Sequence, residues 1–246
     1  MHTIFYNKVS LAVVLAAALS LVVAAPDDRT EQELFCLAYQ NNLWMGAESR
    51  SGVGASLDHT GAIRIHLPAI LEELCTEIGA PAILLDAACG DLNWFKLMQL
   101  PFLAQYIGVD IVPELIELNK ASFASGTCTF IHANVITDEL PKADIILCRS
   151  LFPLLFNVDI MRTINNFKKT GARYLITSHY PQKRTNAELP AEIRTLIWVR
   201  PINLELPPFN FPEPLVILYE GEAGPIAFDK SLALWRLADI PEYDIK

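Results

Sequence analysis

The chain has 246 residues, of which 52% are hydrophobic and 19% are charged, so it can bury the core of one large or two small domains. This composition excludes a disordered chain. The 28 acidic and 19 basic residues give a formal net charge of -9 without a long run of either sign. This pattern argues against a nucleic-acid partner, because phosphate binding needs a concentrated basic face.

The chain opens with an apolar leader. Residues 9–25 form an uncharged run of 17 residues that follows Lys8 and precedes the polar sequence PDDRTEQE. This layout is typical of a secretory signal peptide, which we expect over residues 1–25 with cleavage after Ala24 or Ala25. The protein would then be secreted or lie in the lumen of the secretory pathway. Two alternatives remain: a buried helix, and an uncleaved membrane anchor, although a spanning helix needs about 20 apolar residues.

Helices and strands are predicted to alternate after the leader. The spacing of apolar residues predicts helices over residues 30–44, 67–78, 92–100, 113–125 and 158–169, with Pro68 in the first turn of the second helix. Short apolar runs predict strands in AILLDAA from Ala82, YIGVD ending at Asp110, TCTFIHA, ADIILC ending at Cys148, and RYLITS. Strands that alternate with helices indicate parallel pairing and right-handed crossovers.

The last third of the chain differs in composition, because nine of the sixteen prolines follow residue 180. We expect a proline-rich insertion over about residues 180–214, followed by a terminal hairpin in LVILYE and SLALWRL. A glycine-containing loop over residues 46–61 follows the first helix, and together they form an N-terminal lid region over about residues 30–61. No break in composition divides residues 26–246, which indicates one domain.

Five cysteines are distributed along the chain, at Cys36, Cys75, Cys89, Cys128 and Cys148. Their number is odd and none forms a CxxC pair, so the sequence indicates neither a disulfide framework nor a zinc site. We expect packing thiols and a fold that does not depend on disulfides. A single disulfide bond remains an alternative, because a sequence gives no distances between cysteines.

Two strand-end aspartates and a glycine form the most informative set in the sequence. Asp86 and Asp110 are 24 residues apart, and Gly90 lies in the turn between their strands. In a doubly wound sheet ligands bind across the carboxyl ends of the strands, so both carboxylates would face one crevice. Gly90 lets the backbone approach a ligand closely, and Asp110 can accept hydrogen bonds from a ribose diol. The alternative is that the two aspartates merely cap a strand and a helix.

This segment resembles the class I S-adenosylmethionine-dependent methyltransferases, whose first motif is matched by LLDAACGD and whose ribose-binding acid is matched by Asp110 in YIGVD. More closely, the chain resembles a branch of that family with a CGD-x-x-W turn, seen here as CGDLNW. The resemblance runs from about Trp44 to Trp235, through SGVGAS, Arg149, INLELPPF and ALW. It implies an α/β, Rossmann-like, doubly wound sheet of seven mostly parallel strands with an antiparallel C-terminal strand.

The resemblance also implies S-adenosylmethionine as the cofactor. In the family the first-motif turn holds the methionine portion, the strand-end acid binds the ribose, and a residue after the third strand touches the adenine. That residue is often Asp and is Asn134 here, whereas Trp94 is expected to pack in the core. The implied cofactor-binding residues are Asp86, Ala88, Cys89, Gly90, Asp110, Ile111, Asn134, Val135 and Arg149.

The expected acceptor site is built from the ends of the fourth and fifth strands. We predict Arg149 and His179 as catalytic residues and Asn203, in RPINLELPPF, as a substrate-binding residue. The alternative is that Arg149 pairs with an acid at the crevice rim and that Asn203 caps a turn. The branch has Arg-Asp with a histidine a few residues on, whereas this chain has Ser150 and Leu154, which predicts altered specificity or lost activity if those side chains act on the substrate.

The sequence therefore predicts a methyltransferase that acts by direct displacement on a small-molecule or peptide acceptor, without a metal. A secreted, noncatalytic binding protein on a methyltransferase scaffold is the first alternative, favoured by the leader and by the two departures. A NAD-dependent oxidoreductase is the second alternative, but it needs G-x-G-x-x-G and AACGDLNW has a single glycine. Membrane contact is expected only if the leader is uncleaved.

Overall fold

The computed structural model describes residues 29–189, 199–221 and 229–245. The predicted leader over residues 1–25 lies outside the described residues, as does part of the proline-rich segment. Within the described ranges, no helix combines the length and the apolar character needed to cross a membrane.

Seven strands form one sheet in the order β3-β2-β1-β4-β5-β7-β6. The strands β1 to β5 pair in parallel, and β7 pairs antiparallel with both β5 and β6. This arrangement confirms the fold class that the sequence predicts. The strands are β1 (Ala82–Ala87), β2 (Leu103–Asp110), β3 (Cys128–His132), β4 (Ile145–Cys148), β5 (Tyr174–His179), β6 (Val216–Tyr219) and β7 (Ser231–Arg236).

Helices cover both faces of the sheet, as the continuous apolar runs of its central strands require. Adjacent strand residues point to opposite faces, so Leu85 belongs to one hydrophobic cluster and Leu84 to the other. The first cluster contains Ile164, and the second contains Leu67. The helices are α1 (Glu31–Gln40), α2 (Gly61–Ile78), α3 (Pro113–Phe123) and α4 (Asn157–Lys169).

Local sequence signals set several helix ends. Thr30 and Glu33 form a reciprocal capping box at the start of α1. Gly79 ends α2 with a left-handed φ of 83°, and Pro113 occupies the first turn of α3, where its missing N–H costs nothing. The chemistry of these caps explains why the elements begin and end near the predicted positions.

The predicted helix over residues 92–100 is wrong, because the structure has only one 3₁₀ turn there, Phe95–Leu97. Leu92 has a positive φ of 55°, which is incompatible with a right-handed helix. The neighbouring rings of Trp94 and Phe95 are both buried, and Phe95 packs with a ring-centroid distance of 4.6 Å against Tyr106. Two adjacent residues are therefore buried here, whereas an amphipathic helix buries residues that are three or four positions apart.

The end of α1 and the start of α2 differ more clearly from their predictions than the other helix boundaries do. The helix predicted over residues 30–44 ends at Gln40, where the side chain of Asn41 donates a hydrogen bond to the Leu37 carbonyl. The helix α2 begins at Gly61, so Pro68 lies in its interior and not in its first turn. The buried Ile63 extends the apolar face of α2 toward its N-terminus and explains this earlier start.

Candidate functional site

A cavity of about 510 Å³ lies at the carboxyl ends of β1, β2 and β4. Its floor comes from the turns that follow these strands and from the segment after β3, and its outer side comes from α1 and the segment over residues 43–55. This edge of a doubly wound sheet is where ligands of such folds bind. The residues predicted for the cofactor that line the cavity are Asp86, Ala88, Cys89, Gly90, Asp110, Ile111, Asn134, Val135 and Arg149.

The turn after β1 is bound tightly to the N-terminal segment. The carboxylate of Asp91 accepts hydrogen bonds from the Ser49 hydroxyl and from the Arg50 N–H, both at 3.0 Å. The hydroxyl of Ser51 accepts from the Asp91 N–H at 3.0 Å. Gly90 has a φ of 60°, and a Cβ at this position would lie 2.5 Å from the Ser51 hydroxyl oxygen. The left-handed φ and the close approach of Ser51 therefore both favour a glycine at this position.

Asp110 links this turn to the end of β2. One carboxylate oxygen accepts from the Gly90 N–H and the other accepts from the Val112 N–H, both at 3.1 Å. Burial raises the pKa of Asp110, while these N–H groups oppose the rise. The result is an oriented, buried acceptor group on the cavity wall that matches the two donors of a diol.

Asp86 is the second carboxyl group at the strand ends. It is buried and accepts a hydrogen bond of 2.8 Å from the Tyr106 hydroxyl. Burial raises the pKa of Asp86 to about 7, the negative charge of Asp110 adds to the rise, and Arg149 opposes it. The group is therefore partly protonated near neutral pH.

The thiol of Cys89 lies in the wall beside these carboxyl groups. Burial raises its pKa well above the ordinary value, and Asp110 and Asp86 add to this effect, so the thiol stays protonated. A thiolate nucleophile is not favoured here. All five cysteines have free thiols in the structure. Among the described residues, no group of three or more potential metal ligands is placed to hold an ion.

Asn134 and Val135 line the cavity beyond β3. The Asn134 side-chain oxygen accepts from the Ile136 N–H at 3.0 Å, and its backbone N–H donates to Asp138 at 2.8 Å. These bonds fix the segment that follows β3. They present a polar amide and an apolar side chain on the same wall as Ile111.

A buried ion cluster closes another side of the cavity. The guanidinium of Arg149 donates from Nη2 to Glu220 at 2.6 Å, from Nε to the same carboxylate at 3.3 Å, and from Nη2 to the Gly54 carbonyl at 2.8 Å. It also lies over the ring of Trp94, 5.3 Å from its centroid. Arg149 thus pairs with an acid, as the sequence alternative proposed, and it lines the cavity as well. Trp94 is buried, as expected, and also forms part of the cavity wall.

Lys230 completes this cluster. Its ammonium group lies 3.1 Å from Glu220 and donates to the Ser150 hydroxyl at 2.8 Å. Ser150 has a positive φ of 64°, and its N–H donates to the Ser178 hydroxyl. Sequence reasoning missed Glu220 and Lys230. The sequence signal for them was weak, because it consisted of one acid and one lysine at the adjoining ends of the two predicted hairpin strands.

His179 and Asn203 do not join Arg149 at the cavity wall, and this corrects the prediction that all three face the acceptor. His179 is fully buried, accepts from the Leu204 N–H at 3.3 Å, and packs edge-on against Trp235. Burial lowers its pKa to about 4. Tyr180, the next residue, lines the cavity instead.

Asn203 has a structural role in the segment after β5. Its amide nitrogen donates to the carbonyls of Pro181 and Lys183, and its oxygen accepts from the Glu205 N–H at 3.0 Å. These local bonds agree with the alternative that Asn203 caps a turn. These hydrogen bonds occupy the side-chain amide nitrogen and oxygen of Asn203, which are the groups that were expected to bind a substrate.

The remaining wall of the cavity is apolar and aromatic. It includes Leu154. Met45, Val53 and Val199 line the cavity while remaining 65%, 46% and 49% exposed, so they lie at its mouth. Other apolar lining residues include Phe35, Tyr39, Leu43, Trp44, Pro153, Leu155 and Pro201.

No protein-family model and no curated protein matches the chain. Solved structures do match. Human N-acetylserotonin methyltransferase with S-adenosylmethionine has a TM-score of 0.54 and 14% identity, over 93% of this chain and 67% of that one. N-methyltransferase NodS from Bradyrhizobium japonicum WM9 with S-adenosylhomocysteine has a TM-score of 0.52 and 15% identity, over 82% and 98% of the two chains.

Magnesium protoporphyrin IX methyltransferase from Synechocystis PCC 6803 with bound S-adenosylmethionine has a TM-score of 0.50 and 14% identity, over 85% of this chain and 98% of that one. Together with the strand order, these similarities show that the chain has the class I methyltransferase fold.

Proposed function

We propose that this protein is an S-adenosylmethionine-dependent methyltransferase that transfers a methyl group by direct displacement to a small-molecule or peptide acceptor. The observation that carries this proposal is the buried Asp110 carboxylate, held at the cavity wall by the Gly90 and Val112 N–H groups. The ligands of the structures with the same fold support the choice of cofactor, since they contain S-adenosylmethionine or S-adenosylhomocysteine.

The residues at the strand ends fit this cofactor. Asp110 offers acceptors for a ribose diol, and Ile111, Asn134 and Val135 offer an apolar and amide surface for adenine. Ala88, Cys89 and Gly90 form the turn after β1 on the cavity wall, and their small side chains leave room for the methionine portion. When bound, the cofactor supplies an electrophilic methyl group on a sulfonium sulfur.

The protein contributes mainly position and exclusion of water. Trp44, Val53 and Leu154 give the cavity an apolar side that can hold an acceptor against the cofactor site. Direct displacement needs the reacting atoms close and in line, so a fixed acceptor provides much of the rate enhancement. The cavity volume of about 510 Å³ lies within the usual range of about 300 to 1,000 Å³ for small-molecule sites, which favours a small acceptor.

Calorimetric titration of the purified protein with S-adenosylmethionine, S-adenosylhomocysteine and NAD tests this proposal. We expect the first two ligands to bind at a single site and NAD to show no saturable binding. Incubation with methyl-labelled S-adenosylmethionine and with separate pools of small molecules and peptides should then yield a labelled product. Absence of cofactor binding would refute the proposal, whereas binding without a product in either pool would favour the noncatalytic alternative.

We also propose that the residues up to Ala24 or Ala25 direct export and are removed, because an uncharged run follows Lys8 and ends in small residues. N-terminal sequencing of protein made in its native host should begin at Ala25 or Pro26. Recovery of the intact N-terminus in a membrane pellet would indicate an anchor, and recovery in the cytosol would contradict export.

A further inference from the structure

The ion cluster on the cavity wall contains two cations and one carboxylate. The side chains of Arg149, Lys230 and Glu220 are only 6%, 8% and 3% exposed. In the part of the chain that the structure describes, Glu220 is the one carboxylate within 4.0 Å of either cation. Two cations that share one carboxylate leave an excess of positive charge in this cluster. Such an excess is unusual, because buried charges are normally paired.

The charge on Lys230 persists at neutral pH. Burial lowers its pKa to about 8, with Arg149 adding to the decrease and Glu220 opposing it. At a pH near 7 the ammonium form therefore still predominates, and arginine keeps its charge in proteins. The two cations together exceed the single negative charge of Glu220.

The neighbouring titratable groups do not supply the missing anion. Asp86 accepts the Tyr106 hydroxyl, and its carboxyl is partly protonated because its pKa is raised to about 7. Among the described residues neither Asp58 nor Asp229 lies within 4.0 Å of either cation, and the Asp229 carboxylate accepts from the Gln182 N–H at 2.7 Å. Burial raises the pKa of Tyr180, which keeps its hydroxyl neutral. His59 also lines the cavity and can contribute only positive charge.

The cations are accessible from the cavity that holds the cofactor-binding residues. Arg149 and Lys230 line this cavity, and they also line a smaller one of about 240 Å³. The smaller cavity is lined in addition by Asp58 and Glu220, whereas the larger one has the apolar wall on which the rest of an organic anion can pack. Val53 and Leu154 belong to this apolar wall of the larger cavity.

We propose that Arg149 and Lys230 form a subsite for a carboxylate of the methyl acceptor, whose remaining part packs on the apolar wall. This inference rests on the proposed function, because it assigns the carboxylate to the acceptor. The hydrogen bonds of two cations engage the lone pairs of such a carboxylate. The carboxylate therefore anchors the acceptor, and another atom of the acceptor receives the methyl group.

The carboxylate of the cofactor has the same chemistry, so the test separates the two sources. Benzoate is the probe, because it joins a carboxylate to an apolar ring, and benzamide is its neutral match. Each is titrated by ligand-observed NMR into the full protein, free and saturated with S-adenosylhomocysteine. We expect the saturated protein to bind benzoate at least about tenfold more tightly than benzamide, since hydrogen bonds between two charged groups are stronger than those to a neutral amide.

Two variants of Lys230 sharpen the test. Lys230→Met should remove most of the preference for benzoate, and it leaves Arg149 paired with Glu220, so the fold should survive. Lys230→Arg should keep the preference. In the unmodified protein the affinity for benzoate should fall as pH rises above about 8, where Lys230 loses its proton. Lys230→Arg should lack this fall, and His59→Gln should retain it.

Several results would overturn the inference. These are equal affinity for benzoate and benzamide, an undiminished preference in folded Lys230→Met, and binding of benzoate that S-adenosylhomocysteine abolishes. The last result would assign the cations to the cofactor. If Lys230→Met does not fold, the pH profile of Lys230→Arg decides. Failure of S-adenosylhomocysteine to bind refutes the proposed function, and titration of the free protein then decides only whether the cations bind a carboxylate.

Discussion

The carboxylate of Asp110, at the end of β2, accepts a hydrogen bond of 3.1 Å from the backbone N–H of Gly90, in the turn after β1. In the sequence, the end of β2 and the turn after β1 are related only by the number of residues between them. This bond brings the two segments into direct contact. It orients the acid toward the cavity and holds the turn at the same time. The acid therefore has a structural partner in addition to its proposed ligand.

Replacement of Asp110 should reduce the affinity for the cofactor more than the stability of the fold. In Asp110→Ala the proposed charge-assisted bonds to the ribose are lost, each of about 1.5 to 3 kcal/mol, so S-adenosylmethionine should bind about tenfold more weakly or worse. Calorimetric titration measures this change. Asp244→Ala is the control, because Asp244 is exposed and lies outside the cavity. Unchanged affinity in folded Asp110→Ala would place the cofactor elsewhere.

The fold and the cofactor wall could be predicted because their signals are local. Apolar runs that end in an acid mark β1 and β2, and a glycine marks the turn between them. The acids predicted at these strand ends lie together at the cavity, as the parallel sheet requires. Asn134 and Arg149, which the resemblance implies as cofactor-binding residues, line the same cavity.

The acceptor side could not be predicted, for two physical reasons. Every residue of β5 is buried, so no alternation of polar and apolar residues indicates that Tyr180 and not His179 reaches the cavity. The contacts of Arg149 with Glu220 and of Ser150 with Lys230 join residues 71 and 80 positions apart. They depend on how the antiparallel pair β6 and β7 is placed against β5, and a single sequence does not define this placement.

A methyl group at Gly90 should destabilise the protein and disturb the turn. In Gly90→Ala the new Cβ would lie 2.5 Å from the Ser51 hydroxyl oxygen, at a φ of 60° that disfavours side chains. We expect the free energy of unfolding to fall by about 1 to 3 kcal/mol, with weaker binding of S-adenosylmethionine. Urea denaturation and calorimetry measure the two effects.

Gly126→Ala is the matched control for this substitution. A Cβ at Gly126 would meet nothing within 4 Å, and its φ is not in the left-handed region. Its free energy of unfolding should therefore stay close to that of the unmodified protein. An equal loss in both variants would show that the contact with Ser51 is unimportant.

Asp86 should give the folded protein a characteristic pH dependence. Its carboxyl pKa is raised to about 7 in the folded state, so the folded protein binds this proton more tightly than the unfolded chain does. The stabilising contribution is present at low pH and is lost as pH rises from about 4 to about 7. In Asp86→Asn this loss is absent, and the amide oxygen can still accept from Tyr106.

Urea denaturation of both proteins between about pH 5 and about pH 8 measures this difference. The stability of Asp86→Asn relative to the unmodified protein should increase across the interval and level off above about pH 7. Taking the difference removes contributions from other groups, including the buried His179. Asp244→Asn should follow the unmodified protein throughout. Parallel profiles for Asp86→Asn would contradict the raised pKa.

Removal of the shared carboxylate should destabilise the ion cluster more than removal of one cation. Glu220→Gln leaves Arg149 and Lys230 buried without a negative partner, which should lower the free energy of unfolding by about 3 to 5 kcal/mol. Lys230→Met leaves one balanced pair and should have a much smaller effect. The double variant should be more stable than Glu220→Gln alone, because it contains only one uncompensated cation. Urea denaturation of the three variants measures these differences. If the free energy of unfolding of the double variant falls by the sum of the decreases in the two single variants, Lys230 carries no excess charge in the folded protein.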